Sequence, residues 1–254
     1  MAVMEQTTEA RKKHEARKRF ELLLAALLAG WGLLIAKRRS TIIGAILHLA
    51  GSDGIIPARQ LPYLKALIDT ELGDLAVEIY TSFADAYPAA VLYGAQLGGA
   101  DYASAAVKNR SVDLFAFGYR GVPFSDVVVK DARQALVDVV GKVGRAILET
   151  NIGAINKLDS PIEDAITRFV GKAQAEAVGH LSAAFNLATR ETVMEQTKPG
   201  TRPAFLRYVV SPQAETHCSW CGSKDGRLYR ADDEVWGELP RHRNCACYGE
   251  PTNG

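Results

Sequence analysis

All four cysteines of this 254-residue chain fall between Cys218 and Cys247, and the preceding 217 residues contain none. They read Cys218-Ser-Trp-Cys221, a 20-residue gap, then His242-Arg-Asn-Cys245-Ala-Cys247. A CxxC turn closed by a later HxxC or CxC has the spacing of a zinc knuckle, in which two tight turns aim ligand atoms at one point. Tetrahedral zinc takes four soft or borderline donors at about 2.0–2.3 Å. Cys218, Cys221, His242, Cys245 and Cys247 therefore offer one donor more than the ion needs. A segment this short and polar buries too little apolar surface to fold unaided, and a structural metal makes up the difference. Two readings compete with the metal: a pair of disulfides, as in a protein working outside a cell, and a cysteine nucleophile served by His242. Such nucleophiles usually stand alone rather than among three further thiols.

With 48% hydrophobic and 23% charged residues, the chain has the composition of a globular protein. Its net charge of +1 gives no global field toward nucleic acid or membrane. The charge is uneven, however: residues 1–40 carry nine Lys/Arg against four Glu. An uneven basic end points to contact with phosphate or a negatively charged partner.

The same end holds Leu22–Ala36, fifteen residues without a charge between Arg17-Lys18-Arg19 and Lys37-Arg38-Arg39. A membrane span needs about 20 apolar residues and at least about 17. The charged leader is long, and no small-residue cleavage site precedes Lys37, which argues against a secretory signal. A helix buried among other helices is the expectation. Membrane contact by residues 22–36 is the alternative, since basic flanks suit anionic headgroups.

From Met4 to Thr197 the pattern is helical. Leu61–Leu72 and Ala76–Tyr93 read as two helices, the second perturbed at Pro88. Gly94, Gly98, Gly99, Gly118 and Gly121, with aromatics among them, predict a loop or small hairpin over Tyr93–Pro123. Ser125 is placed to cap a helix over Asp126–Ile155. Ser160-Pro161-Ile162-Glu163 is a capping box with proline at the first helical position. The helix it opens carries one apolar stripe from Ile162 through Phe169 and Leu181 to Ala188, packed along the preceding helix, until Lys198-Pro-Gly200 stops it. His180 lies one position off that stripe, where a histidine flanking the core is expected rather than a ligand.

Beyond Gly200 the period becomes strand-like. Phe205–Val210 and Gly226–Arg230 read as two strands with the CxxC between them. Asp225, Asp232 and Glu234 lack the order of a calcium loop. The fold class is thus mainly α, a helical body with a small C-terminal α+β zinc-knuckle-like module. Its parts are a basic and apolar N-terminal helix over 1–40, the body over 41–200 and the module over 201–254.

Several of these stretches recur together. Phe185-Asn186 and Thr189-Arg190-Glu191-Thr192 lead into Tyr208-Val209-Val210 and Cys218-Ser-Trp-Cys221. Asp225-Gly226-Arg227-Leu228-Tyr229 and Leu239-Pro240-Arg241-His242-Arg243-Asn244-Cys245-Ala246-Cys247 complete the series. In this order they resemble the Mu F-like head morphogenesis family, the minor head proteins of tailed bacteriophages. The resemblance covers about a quarter of the chain and is most specific at its end. Ala246 stands where that family usually has Arg, Leu239 and Arg243 replace prolines, and the helix reads Arg190-Glu191-Thr192 rather than Arg-Thr-Glu. The resemblance implies a minor capsid protein of the virion or prohead, made in the host cytoplasm and acting in head assembly and DNA packaging or delivery. It implies portal and capsid or scaffold proteins as partners.

A capsid maturation protease is the enzymatic alternative. The chain has no GxSxG elbow and no HExxH helix, and its imidazoles are limited to His14, His48, His180, His217 and His242. A zinc-bound thiolate is not free to attack, and five candidate ligands argue for a closed site. The remaining alternative is a nucleic-acid-binding zinc module, although the 20-residue gap is not that of a C2H2 finger, about 12.

Overall fold

The computed structural model describes residues 2–50, 55–148, 158–197, 204–211, 218–241 and 245–252. Six α-helices and three short strands make up the described chain. They are α1 (Ala2–Ala50), α2 (Leu61–Leu97), α3 (Ala105–Phe117), α4 (Phe124–Leu148), α5 (Asp159–Gln196), β1 (Phe205–Val209), α6 (Ser219–Lys224), β2 (Leu228–Arg230) and β3 (Tyr248–Pro251). The architecture is mainly helical, with a small α+β module at the C-terminal end, as the period change after Gly200 leads one to expect.

Two compact units emerge. One comprises Met1–Leu27, Phe83–Phe124 and Ala175–Gly254; the other comprises Leu28–Ser82 and Ser125–Gln174. In the second, α4 and α5 form an antiparallel pair. Lys142 donates to the Pro161 carbonyl at 3.0 Å, Arg168 pairs with Asp138 and Lys172 with Asp131, so residues ascending on one helix meet residues descending on the other. Val128 and Val139 of α4 and Ile162, Ile166 and Phe169 of α5 are all buried. Arg38 of α1, 6% exposed, is offset by Glu71 at 2.7 Å and Glu78 at 2.9 Å on α2.

The first unit holds an aromatic core. Phe83 stacks with Phe115 and touches Phe124, while Tyr87, whose hydroxyl donates to the Ser111 carbonyl, meets Phe115 edge-on. Phe20 stacks on Phe185 at 4.2 Å. His180 is 2% exposed, with Phe83, Tyr119 and Phe124 set edge-on around its ring. Burial among these rings holds its pKa down at about 4, so it is a neutral core residue.

The glycine-rich stretch over Tyr93–Pro123 is helical, against the loop or hairpin expected there. The helix α2 runs unbroken through Pro88 to Leu97, and α3 follows with Ser104 as its cap, accepting from Val107 N–H at 3.1 Å. Gly94 does not interrupt α2, and Gly98 follows its last residue; both bring the chain against α5. A Cβ at Gly94 would lie 2.2 Å from the Phe185 carbonyl oxygen, and one at Gly98 would lie 2.9 Å from that of Thr189. Thr189 fills the same contact by donating to the Gly94 carbonyl at 3.0 Å. The turn glycines of this stretch are Gly99, before α3, and Gly118 and Gly121 after it, with φ of 100°, 75° and 70°.

Elsewhere the boundaries shift modestly. The helix α4 begins at Phe124, and the expected 149–155 portion lies outside the described residues. Asp159 heads α5, one residue ahead of the expected cap. The sheet has a third strand, β3, which the sequence reading lacks. Its order is β2-β1-β3, antiparallel throughout, with Leu206 opposite Tyr229 on one side and Tyr208 opposite Gly249 on the other.

Candidate metal centre

The module folds around a few large side chains. Tyr208 of β1 stacks on Trp236, Tyr229 meets Trp236 edge-on, and the Trp236 indole N–H donates to the Arg230 carbonyl at 2.7 Å. Leu206, Val235 and Leu239 complete this small core, and Cys221, Cys245 and Cys247 are part of it.

Each thiol is positioned by local backbone chemistry. Cys218 precedes α6 in an extended conformation, and its sulfur accepts from the Cys221 N–H at 3.3 Å, so the CxxC turn is closed by one of its own members. One helical turn then carries Cys221 inward, to 1% exposure. Cys245 and Cys247 lie just before β3, at an i, i+2 spacing that turns both side chains to one side of an extended chain. The sulfurs of Cys221, Cys245 and Cys247 all lie within 4.8 Å of one another. Tetrahedral zinc–thiolate geometry requires sulfurs about 3.8 Å apart, so a small inward movement suffices.

Asn186 of α5 fixes the CxC pair. Its side-chain amide donates to the Cys247 carbonyl at 2.8 Å, and its oxygen accepts from Gly249 N–H at 3.0 Å. The same amide also donates to the Ser182 carbonyl, one turn back in the helix. Asn186 is therefore bound at both ends, and its geometry transfers to the strand.

Crowding and burial oppose ionisation of the Cys221 and Cys247 thiols. Burial pushes the Cys221 thiol up, and the adjacent Cys245 sulfur followed by burial pushes Cys247 up. Other neighbours are arranged for the charged form. The Ser211 backbone N–H points at the Cys247 sulfur. The buried Tyr208 hydroxyl has no conventional hydrogen-bond partner among the described residues and lies toward Cys221, where it favours the thiolate. Thiols that resist ionisation, surrounded by donors suited to thiolates, fit a bound cation that supplies the missing positive charge. The three buried thiols can hold a metal ion. Cys221 and Cys247 are poor nucleophiles for the same reasons, since reactivity needs exposure and a lowered pKa.

Of the five donors expected from the spacing, Cys221, Cys245 and Cys247 meet as one group. Cys218 stands beside them, half-buried and engaged with Cys221. His242 lies outside the described residues. None of the four cysteines is joined in a disulfide. Tyr208, Ser211 and Asn186 escaped the sequence reading as parts of this site, because nothing in the local pattern ties them to sulfurs distant in sequence. Comparison of the chain with known protein families, with characterised proteins and with solved structures gave no match.

Proposed function

We propose that this chain is a non-catalytic bacteriophage minor head protein, acting in prohead assembly and DNA packaging or delivery near the portal. One observation carries the reading beyond the motif resemblance. The Phe185-Asn186 stretch and the Cys245-to-Gly249 stretch, separated by about sixty residues, are joined by the Asn186 clasp, and Phe185 meets Tyr248 edge-on. Elements that resemble the family in sequence thus form one structural unit.

The metal in this reading is zinc, held by Cys221, Cys245 and Cys247 with Cys218 or His242 as the fourth ligand. Four thiolate and imidazole donors without an open position make a closed, structural site. The expected partners are portal and capsid or scaffold proteins. Packaged DNA is a weaker part of the proposal: Lys12, Lys13 and Arg19 of the basic helix are ion-paired with Asp101, Glu9 and Glu15.

The test is co-expression with the cognate portal, capsid and scaffold proteins, followed by isolation of the particles. The chain should co-purify with portal or prohead, without cleaving either. Specific cleavage of capsid or scaffold that depends on this chain would overturn the proposal in favour of a maturation protease.

A further inference from the structure

The helix α1 has two apolar faces, and only one is used internally. Leu24, Trp31, Ile42 and Ile46 are buried along one side. On the opposite side, a stripe leads from Leu22 through Ala26, Ala29, Leu33 and Ala36 to Leu47, at alternating steps of four and three residues. Ser40 is its one polar member. Leu22, Leu33 and Leu47 are 58%, 75% and 53% exposed. Apolar positions sustained on a four-three repeat are the pattern of a helix–helix seam.

A second observation is independent of this periodicity. Gly30, Gly32 and Gly44 sit inside α1, where each glycine costs roughly 1 kcal/mol relative to alanine. A Cβ at any of them would meet nothing within 4 Å. Gly94 of α2 shows the internal use of helical glycine, abutting the backbone of α5. Among the described residues, Gly30, Gly32 and Gly44 have no such neighbour.

We infer that the exposed face of α1 is a dimer seam that receives α1 of a second copy of this chain, antiparallel, across a two-fold axis at Trp31. In this register Gly30 faces Gly30 and Gly32 faces Gly32, which lets the backbones approach most closely at the crossing. Leu33 then seats against the second copy's Ala29, and Ala26 against its Ala36. Lys37 falls beside Leu23 and Arg39 beside Ala25, so no like charges oppose one another. One short stretch supplies both the projecting leucine and the recess for it, as an isologous interface requires. A bilayer suits this face less well. By length and composition α1 can cross a membrane, with an apolar window of mean hydropathy 1.8 that is only 22% buried. Yet its exposed surface is largely alanine and glycine, which offer little apolar area to lipid while favouring close helix approach. The inference does not depend on the head-protein reading.

The test uses the full chain. Size-exclusion chromatography with light scattering should return twice the 27.5 kDa chain mass. Leu33→Glu should return a monomer with unchanged helical circular dichroism, because the fold leaves Leu33 exposed. Under mild oxidation, Gly32→Cys should crosslink to a dimer well above the parent chain, whose own thiols set the background, while Leu47→Cys should not. A monomeric parent at every concentration would overturn the inference, as would a dimer unaffected by Leu33→Glu. Equal crosslinking at both positions would overturn the antiparallel register. Flotation of a monomeric parent with phosphatidylcholine–phosphatidylserine vesicles, abolished by Leu33→Glu, would assign the face to a bilayer instead.

Discussion

Along α4 and α5 the buried face repeats turn after turn, with Val128, Val139 and Val143 on one helix and Ile162, Ile166, Phe169 and Ala173 on the other. Around β1 the buried set is short: Leu206, Tyr208, Val235, Trp236 and Leu239, interleaved with three thiols. The first region loses one layer among many when a side chain is removed. The second has no spare layer, and three thiols that can hold a metal ion sit in its centre. The helical body is thus held by redundancy, whereas on the proposed reading the module depends on a single centre.

The most severe test of that contrast is chelation of the metal proposed for that centre. Structural zinc stabilises small modules by about 10 kcal/mol or more in apparent terms. A strong chelator should expose the chain after about residue 204 to limited proteolysis while the helical circular dichroism of the body persists. Metal-free protein with a protease-resistant C-terminus would remove the contrast, as would mapped disulfides among the four cysteines. Within the body, Phe169→Ala should cost about 3–5 kcal/mol, because the ring is buried and its neighbours can only partly close the void. Denaturant unfolding measures this directly, and a near-zero change would show that the α5 stripe is less tightly packed than its burial implies.

A pH titration probes the aromatic core. His180 titrates at about 4 when folded and near 6.5 when unfolded. Its neutral form is favoured by folding, so its contribution is complete above pH 6.5 and is lost as pH falls toward 4. The loss amounts to roughly 3 kcal/mol. Thermal melts from pH 7 to 4 should therefore decline more steeply for the parent than for His180→Gln, in which that proton is absent. The smallest expected effect is Asn186→Ala. It leaves the Cys247 carbonyl and the Gly249 N–H without their partner, at about 1–3 kcal/mol. Its signature should be weaker zinc retention in competition with a chromogenic chelator. An unchanged retention would mean that the CxC pair holds its geometry without α5.

The parts of this fold that were legible are those written in local pattern. The Ser160–Glu163 capping box and the stripe beginning at Ile162 locate α5 to within two residues at either end, and the cysteine spacing locates the module. The failures share a cause. Gly94 and Gly98 follow the local rule for a loop, whereas their role is set by Phe185 and Thr189, about ninety residues further along. The strand β3 reads Tyr-Gly-Glu-Pro, which has no alternation to betray it, and it exists because β1 offers an open edge. Asn186 looks like any polar residue in a helix until Cys247 and Gly249 are brought to it. Spacing identified the sulfurs, but not the hydroxyl, the amide and the N–H that surround them.

The meeting of α2 and α5 at Gly94 and Gly98 also has a mechanical meaning. Ordinary helices touch through side chains, which yield and re-interdigitate when one helix slides along the other. Here backbone rests on backbone, and the Thr189 hydroxyl bridges the Gly94 carbonyl to the Phe185 carbonyl. Sliding α2 by one residue would drive the Cβ of Ala95 or Leu97 into that bearing surface. The pair therefore behaves as a keyed joint rather than a lubricated one. A pull applied along α2 is passed to α5 as displacement, and through Asn186 to the segment that carries Cys247, just before β3.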